Sequence, residues 1–174
     1  MVKTTIKNTV IFLSVALTMT LLIDHIHYTI KTEHLAEYTI KTLASQVPQE
    51  SEIEILNSVE TKYLKLFLVR SRLGTSESLY VFTYRMSPIS HAYVLVKRVD
   101  LTNINDESVD KSMLVEQFGH KMLVLYGANS SYNIQIIRDR KLSEYLETRD
   151  VISYLYIIDD IEHLYFYYES MDKQ

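Results

Sequence analysis

Fifteen consecutive residues without a charge, TVIFLSVALTMTLLI at positions 9–23, must be shielded from water. Few structures offer that shelter to a run placed so early in a chain. At about 1.5 Å per helical residue the run falls slightly short of a hydrocarbon core of roughly 30 Å. The flanks make up the difference: Lys7 snorkels toward one headgroup layer, Asp24 and His25 lie near the other, and a helix over residues 6–26 spans. A cleaved secretory signal and a buried core helix are the two alternatives. The residues after the run read LLIDHIHYT, which lacks the small-residue pair a signal peptidase needs, and Ser14-Val15-Ala16 lies inside the run. Lys3 and Lys7 precede it and no acid appears before Asp24, which favours a signal anchor over a core helix. The positive-inside rule then keeps both lysines in the cytoplasm and sends everything after about residue 26 outside. The expected organisation is a cytoplasmic tail (1–8), a transmembrane anchor (9–26), a juxtamembrane helix (27–48) and an extracytoplasmic domain (49–174).

Charge and composition narrow what such a domain does. With Lys3 and Lys7 set aside, 16 Lys and Arg face 22 Asp and Glu, a formal charge of −6 on the exported portion. Nucleic acid needs a basic face, so it is not an expected partner. The absence of cysteine removes disulfides, thiol catalysis, iron–sulfur ligation and Cys-containing zinc sites. With 3 glycines in 174 residues, neither a P-loop nor a dinucleotide-binding glycine cradle occurs. The 47% apolar content is that of a chain with a packed core.

After the anchor, Ile23, Ile26 and Ile30, then Ala36, Ile40, Leu43, Ala44 and Val47, recur at helical spacing, so the helix is expected to continue out of the membrane and to stop at Pro48. Residues 53–59 suit a strand or a short helix. Residues 63–69 (YLKLFLV), 79–86 (LYVFTYRM) and 93–99 (YVLVKRV) are β-branched and aromatic runs between turn-type segments, and read as strands. A polar loop at 100–110 divides the exported region, and residues 111–118 suit one or two helical turns. Residues 121–126 (KMLVLY) and 132–137 (YNIQII) flank Gly127 and Asn129, which predicts a hairpin, and 141–148 reads as a short helix or loop. Residues 151–158 (VISYLYII) and 163–169 (HLYFYYE) predict a second hairpin. The fold class expected is α+β: a transmembrane helix, a juxtamembrane helix, and a strand-rich, mainly antiparallel domain.

The stretch KMLVLYGANSSYNIQIIRDRK, with LYVFTYRMSPISHAYVLVKR before it and a second apolar hairpin after it, resembles a pattern in small membrane-anchored extracytoplasmic proteins of Bacillus-like Gram-positive bacteria. The resemblance rests on strand residues with Gly127 and Asn129. It implies an extracytoplasmic domain on a single anchor and carries no assigned activity.

No constellation carries recognisable catalytic chemistry. Asp24, His27 and His34 stand near one helical face, but i to i+10 covers roughly 15 Å, too far for converging metal ligands. Ser108-Val109-Asp110-Lys111 has the S-x-x-K spacing without the S-D-N and K-T-G elements that give it meaning. Asn103 to Glu107 is rich in oxygen ligands but lacks the glycine of a calcium loop, and Asp159-Asp160 reads as a solvated turn. No catalytic residue, metal ligand or cofactor is assigned. Tyrosine is the unusual quantity: 14 residues, with five between 154 and 168 and no tryptophan in the chain. A hairpin over the last two strands pairs Tyr156 with Tyr165 and Tyr154 with Tyr167, giving one tyrosine face opposite Leu155, Ile157, Leu164 and Phe166. Tyrosines favour interfaces, so these four are the candidate partner surface. The competing expectation buries both faces of the pair, one of them beneath the helix of residues 31–47. The reading that follows is non-enzymatic: a single-pass membrane protein whose acidic domain acts by protein contact, as an accessory, regulatory or sensory module. A cell-envelope hydrolase with an acidic site and a secreted ligand-binding domain are the alternatives.

Overall fold

The computed structural model describes residues 2–100, 109–117, 120–128, 130, 132–149, 153–159, 161 and 163–169. The apolar run lies in helix α1 (Val2–His27), whose Thr9–His27 stretch is long and apolar enough to cross a membrane. Residues 9–23 are exposed throughout. Nothing among the described residues covers this stretch of the helix, which suits a membrane anchor or a signal sequence.

The helix does not run on to Pro48. It stops at His27, because Ile30 exchanges both backbone hydrogen bonds with Tyr93: its N–H donates to the Tyr93 carbonyl (3.1 Å) and its carbonyl accepts from the Tyr93 N–H (2.7 Å). A residue tied to a strand in this way cannot serve the i to i−4 ladder, whatever its helical spacing. The chain passes through one 3-10 turn (Thr32–His34) before the ten-residue helix α2 (Leu35–Ala44). The Glu37 carboxyl on α2 is held below its usual range by the Lys41 ammonium one turn on, 2.6 Å away.

Ten strands follow among the described residues, and every pairing between them is antiparallel. The first four, β1 (Glu52–Glu60), β2 (Leu64–Leu73), β3 (Ser76–Met86) and β4 (Tyr93–Asp100), form a meander in chain order, called here sheet A. Sheet B has the order β5 (Val109–Gln117), β6 (His120–Ala128), β9 (Ser153–Asp159). Sheet C has the order β10 (Leu164–Glu169), β7 (Asn133–Arg138), β8 (Lys141–Leu146). The strand-rich, antiparallel expectation holds, and beyond α1 the helical parts among the described residues are the 3-10 turn and the short α2.

Three apolar clusters hold these elements in a stack of four layers: α2, sheet A, sheet B, sheet C. Leu35 and Leu43 of α2 pack with Phe67, Val69, Tyr80, Phe82 and Tyr84 on one face of sheet A. Leu64, Leu66, Leu68, Leu79 and Val81 leave its other face to meet Met113, Met122, Val124, Tyr126 and Leu155 of sheet B. Leu123, Leu125, Tyr154 and Ile158 on the far face of sheet B pack with Ile134 and Ile136 of sheet C. The two middle layers are thus buried on both sides, which is why LKLFLV, LYVFTY and KMLVLY read as nearly unbroken apolar runs. The outermost sheet alternates: on β10, Leu164 and Phe166 are half-buried while Tyr165 and Tyr167 are exposed.

Several local expectations are corrected by this layering. Residues 111–117 are strand, not helical turns, because β5 pairs with β6 along its whole length from Val109 opposite Ala128 to Gln117 opposite His120. Residues 141–146 are strand β8, joined to β7 by Asp139 and Arg140 with φ of 48° and 63°. Positive φ at both central positions is the type I′ combination that suits a hairpin, here supplied without glycine. The two expected hairpins do not form. β6 and β7 lie in different sheets, as do β9 and β10: β9 pairs with β6, placing Tyr156 opposite Leu125, and β10 pairs with β7, placing Tyr165 opposite Ile137. An apolar sheet face needs a second layer, and crossing between sheets satisfies that need for both members of each supposed hairpin.

Two buried phenols make cross-connections, Tyr84 of β3 to α2 and Tyr93 of β4 to the end of β1. The Thr39 hydroxyl donates to the Leu35 carbonyl (2.8 Å), so its one proton is spent and the Tyr84 hydroxyl, 2.7 Å away, donates to it. The Tyr93 hydroxyl donates to Glu60 (3.2 Å). Burial pushes both phenols up to about 12, and the Glu60 charge adds to this at Tyr93. Glu60 itself is held below the usual carboxylate range by the hydrogen bond from Lys65 at 2.5 Å. Burial also raises Tyr126, in the cluster between sheets A and B.

Candidate interaction surface

Sheet C closes the stack on one side only. Residues directly opposite in an antiparallel pair point to the same face. The registers therefore put Tyr167, Gln135 and Tyr145 in one row across β10, β7 and β8, and Tyr165, Ile137 and Leu142 in the next. Leu142, Tyr165 and Tyr167 are 61%, 57% and 55% exposed, and Tyr145 is exposed as well. The rows lie about 7 Å apart along the strands, and neighbouring strands about 4.8 Å apart. The centre of this face carries amide and apolar groups on β7. Charge enters at its margin, where Glu169 stands opposite Asn133. The Asn133 side-chain amide donates to the Tyr145 hydroxyl (2.8 Å), which fixes that ring against the sheet.

The four tyrosines singled out from the sequence are divided. Tyr165 and Tyr167 lie on this outer face, whereas Tyr154 is 3% exposed and Tyr156 half-buried between sheets B and C, their ring centroids 6.0 Å apart. Leu155 and Ile157 pack toward sheet A, and Leu164 and Phe166 toward sheet B. The alternation assumed within each strand is correct, but the strands belong to different layers. Helix α2 covers sheet A rather than either of them. Tyr145 and Leu142 were missed because KLSEYL does not alternate: the register shift between Ile136 and Ile137 interrupts the pattern on β8. The available signal was the two-residue spacing at Asp139 and Arg140.

A second feature joins α1 to sheet A. Ser87, buried at the end of β3, donates from its hydroxyl to the Asp24 carboxylate in the last turn of α1. Its oxygen also accepts from the N–H groups of Ile89 (3.0 Å) and Ser90 (3.1 Å). The Arg85 guanidinium lies 3.1 Å from His27 Nε2 and 5.6 Å from the Tyr28 ring centroid. His34 lies between Glu33 and Glu37 at an exposed position. Among the described residues no three His, Asp or Glu side chains come together as metal ligands. Ser108, the oxygen-rich loop 103–107, Asn129 and Asp160 lie outside the described residues. Comparison with family models, with curated proteins and with solved structures gives no match to this chain.

Proposed function

We propose that this chain is a single-pass membrane protein that holds an acidic β domain on the extracytoplasmic side and acts by binding another membrane or envelope protein through the outer face of sheet C. Lys3 and Lys7 ahead of α1 give the orientation, by the positive-inside rule. The Asp24 to Ser87 contact supports retention of α1, since the helix end is part of the folded domain instead of a detachable leader. One observation carries the functional reading. Among the described residues every other large apolar sheet face in the stack has a covering layer, while the face bearing Tyr145, Tyr165, Tyr167 and Leu142 has none.

The face suits a partner of defined chemistry. Its centre is uncharged, aromatic and aliphatic, with phenol hydroxyls and the Gln135 amide able to donate or accept, which is the composition of a protein interface core. The partner patch is thus expected to be neutral, apolar and supplied with carbonyl acceptors. A photo-crosslinking residue placed at Tyr165 in cells should give a discrete adduct that is absent when the same residue replaces Thr75, in the β2–β3 turn. Tyr167→Ser should remove the adduct while changing stability by no more than about 0.5 kcal/mol, as exposed substitutions do. Equal adducts from both positions, or none from Tyr165, would count against this surface.

A further inference from the structure

We infer that the end of sheet A nearest α1 forms a second membrane contact, resting on the anionic headgroups of the bilayer that α1 crosses. This builds on the anchor reading above, and begins with the depth of one hydrogen bond. Asp24 lies three residues before the end of α1, so Ser87 is fixed about 4.5 Å back along the helix from His27. Ser87 is in turn the hub of the β3–β4 turn. Its hydroxyl oxygen accepts from two N–H groups of that turn, and its own N–H donates to the Ala92 carbonyl (2.8 Å). The turn cannot swing away without releasing Asp24. With α1 in a bilayer to about residue 26, residues 88–91 lie at headgroup level. The β1–β2 turn is at the same end, because the Met86 N–H donates to the Tyr63 carbonyl (2.9 Å).

The chemistry of these two turns fits that location. Ile89 is 46% exposed beside Pro88, an apolar tip on the β3–β4 turn. Lys62 is exposed, with Nζ 5.1 Å from the Tyr63 ring centroid, a cation and an aromatic ring of the kind that collects at the headgroup level. Arg85 stands over Tyr28 at the helix exit. Two acids at this end are engaged, Asp24 by Ser87 and Glu60 by Lys65 and Tyr93. The exported portion as a whole is acidic and is repelled by an anionic surface, so a basic end selects how the domain sits on it. The domain is thereby held upright on two contacts instead of pivoting on one helix.

Because the chain lacks cysteine, single cysteines report cleanly. The full chain carrying Ile89→Cys, Leu17→Cys or Thr75→Cys is labelled with an environment-sensitive fluorophore. Each is reconstituted into phosphatidylglycerol vesicles containing a doxyl-lipid quencher. The inference expects a blue shift and quenching at positions 17 and 89, and neither at 75, at the opposite end of sheet A. Lys62→Glu, or replacement of phosphatidylglycerol by phosphatidylcholine, should lower quenching at 89 and leave it unchanged at 17. Quenching at 17 with position 89 as unquenched as 75 would overturn the contact while the anchor stands. Loss of quenching at 17 would overturn the anchor and the contact with it. Quenching at 89 that ignores both Lys62→Glu and lipid charge would overturn the headgroup assignment.

Discussion

Single side chains decide two energetic questions. In the buried pair of α2 and β3, the Tyr84 hydroxyl donates to Thr39, whose own proton goes to Leu35. Tyr84→Phe removes one bond and leaves Thr39 satisfied, so it should cost about 0.5–1.5 kcal/mol. Thr39→Val strands the buried phenol hydroxyl and should cost more, about 1–3 kcal/mol. Urea unfolding of the two variants tests the order, and a cheaper Thr39→Val would show that the donor is assigned the wrong way round. The same phenol governs alkaline behaviour together with Tyr93. Both are pushed up to about 12 from an ordinary value of 10.0, so the folded state holds these protons more tightly than the unfolded one. Their contribution is fully present below pH 10 and is lost as pH rises toward 12. Phenolate absorbance should therefore appear in two phases, with the later one coinciding with loss of the β signal in circular dichroism. Neither residue was legible as special in the sequence. Each is one of fourteen tyrosines, and its environment comes from residues 45 and 33 positions away.

Elements were legible where one period dominated. The runs that became β2, β3, β4, β6, β7, β9 and β10 are read correctly as strands, because β-branched and aromatic residues crowd them and turn residues bound most of them. β5 and β8 were misread because KSMLVEQ and KLSEYL hold few β-branched residues and owe their strand state to neighbours, β6 in one case and β7 in the other. The break at residues 28–31 has the same cause, a strand bond at Ile30 that overrides helical spacing. The β7–β8 turn makes a quantitative test possible. Arg140 sits at φ 63°, where a side chain is strained and glycine is not. Arg140→Gly gives the preferred Asp-Gly type I′ pair and should stabilise the domain by up to about 1 kcal/mol, read as a raised urea midpoint with unchanged slope. A destabilised variant would mean that the turn has a different geometry.

At the scale of the whole molecule, alternation shows the two faces of the strands it identifies but not the layer each face meets. Tyr154 and Tyr156 alternate with Leu155 and Ile157 as expected, yet they point into the B–C interface, while Tyr165 and Tyr167 look outward from sheet C. Periodicity says which residues share a face, and only long-range pairing says what covers it. Half of the tyrosine surface was therefore foreseeable. Its other half, on β8, depended on a turn and a register shift. The apolar N-terminal helix was the most legible feature, because a run of fifteen uncharged residues has few places to go, and the folded domain leaves residues 9–23 exposed. The account as a whole stands on the domain lying across the membrane from the chain's first residues. Cysteine labelling in intact cells with a membrane-impermeant maleimide measures this directly. Thr75→Cys should react in intact cells, and Thr5→Cys, ahead of the apolar run, only after the cells are permeabilised. Reaction at Thr5→Cys in intact cells with Thr75→Cys protected, or protection of both, would contradict it.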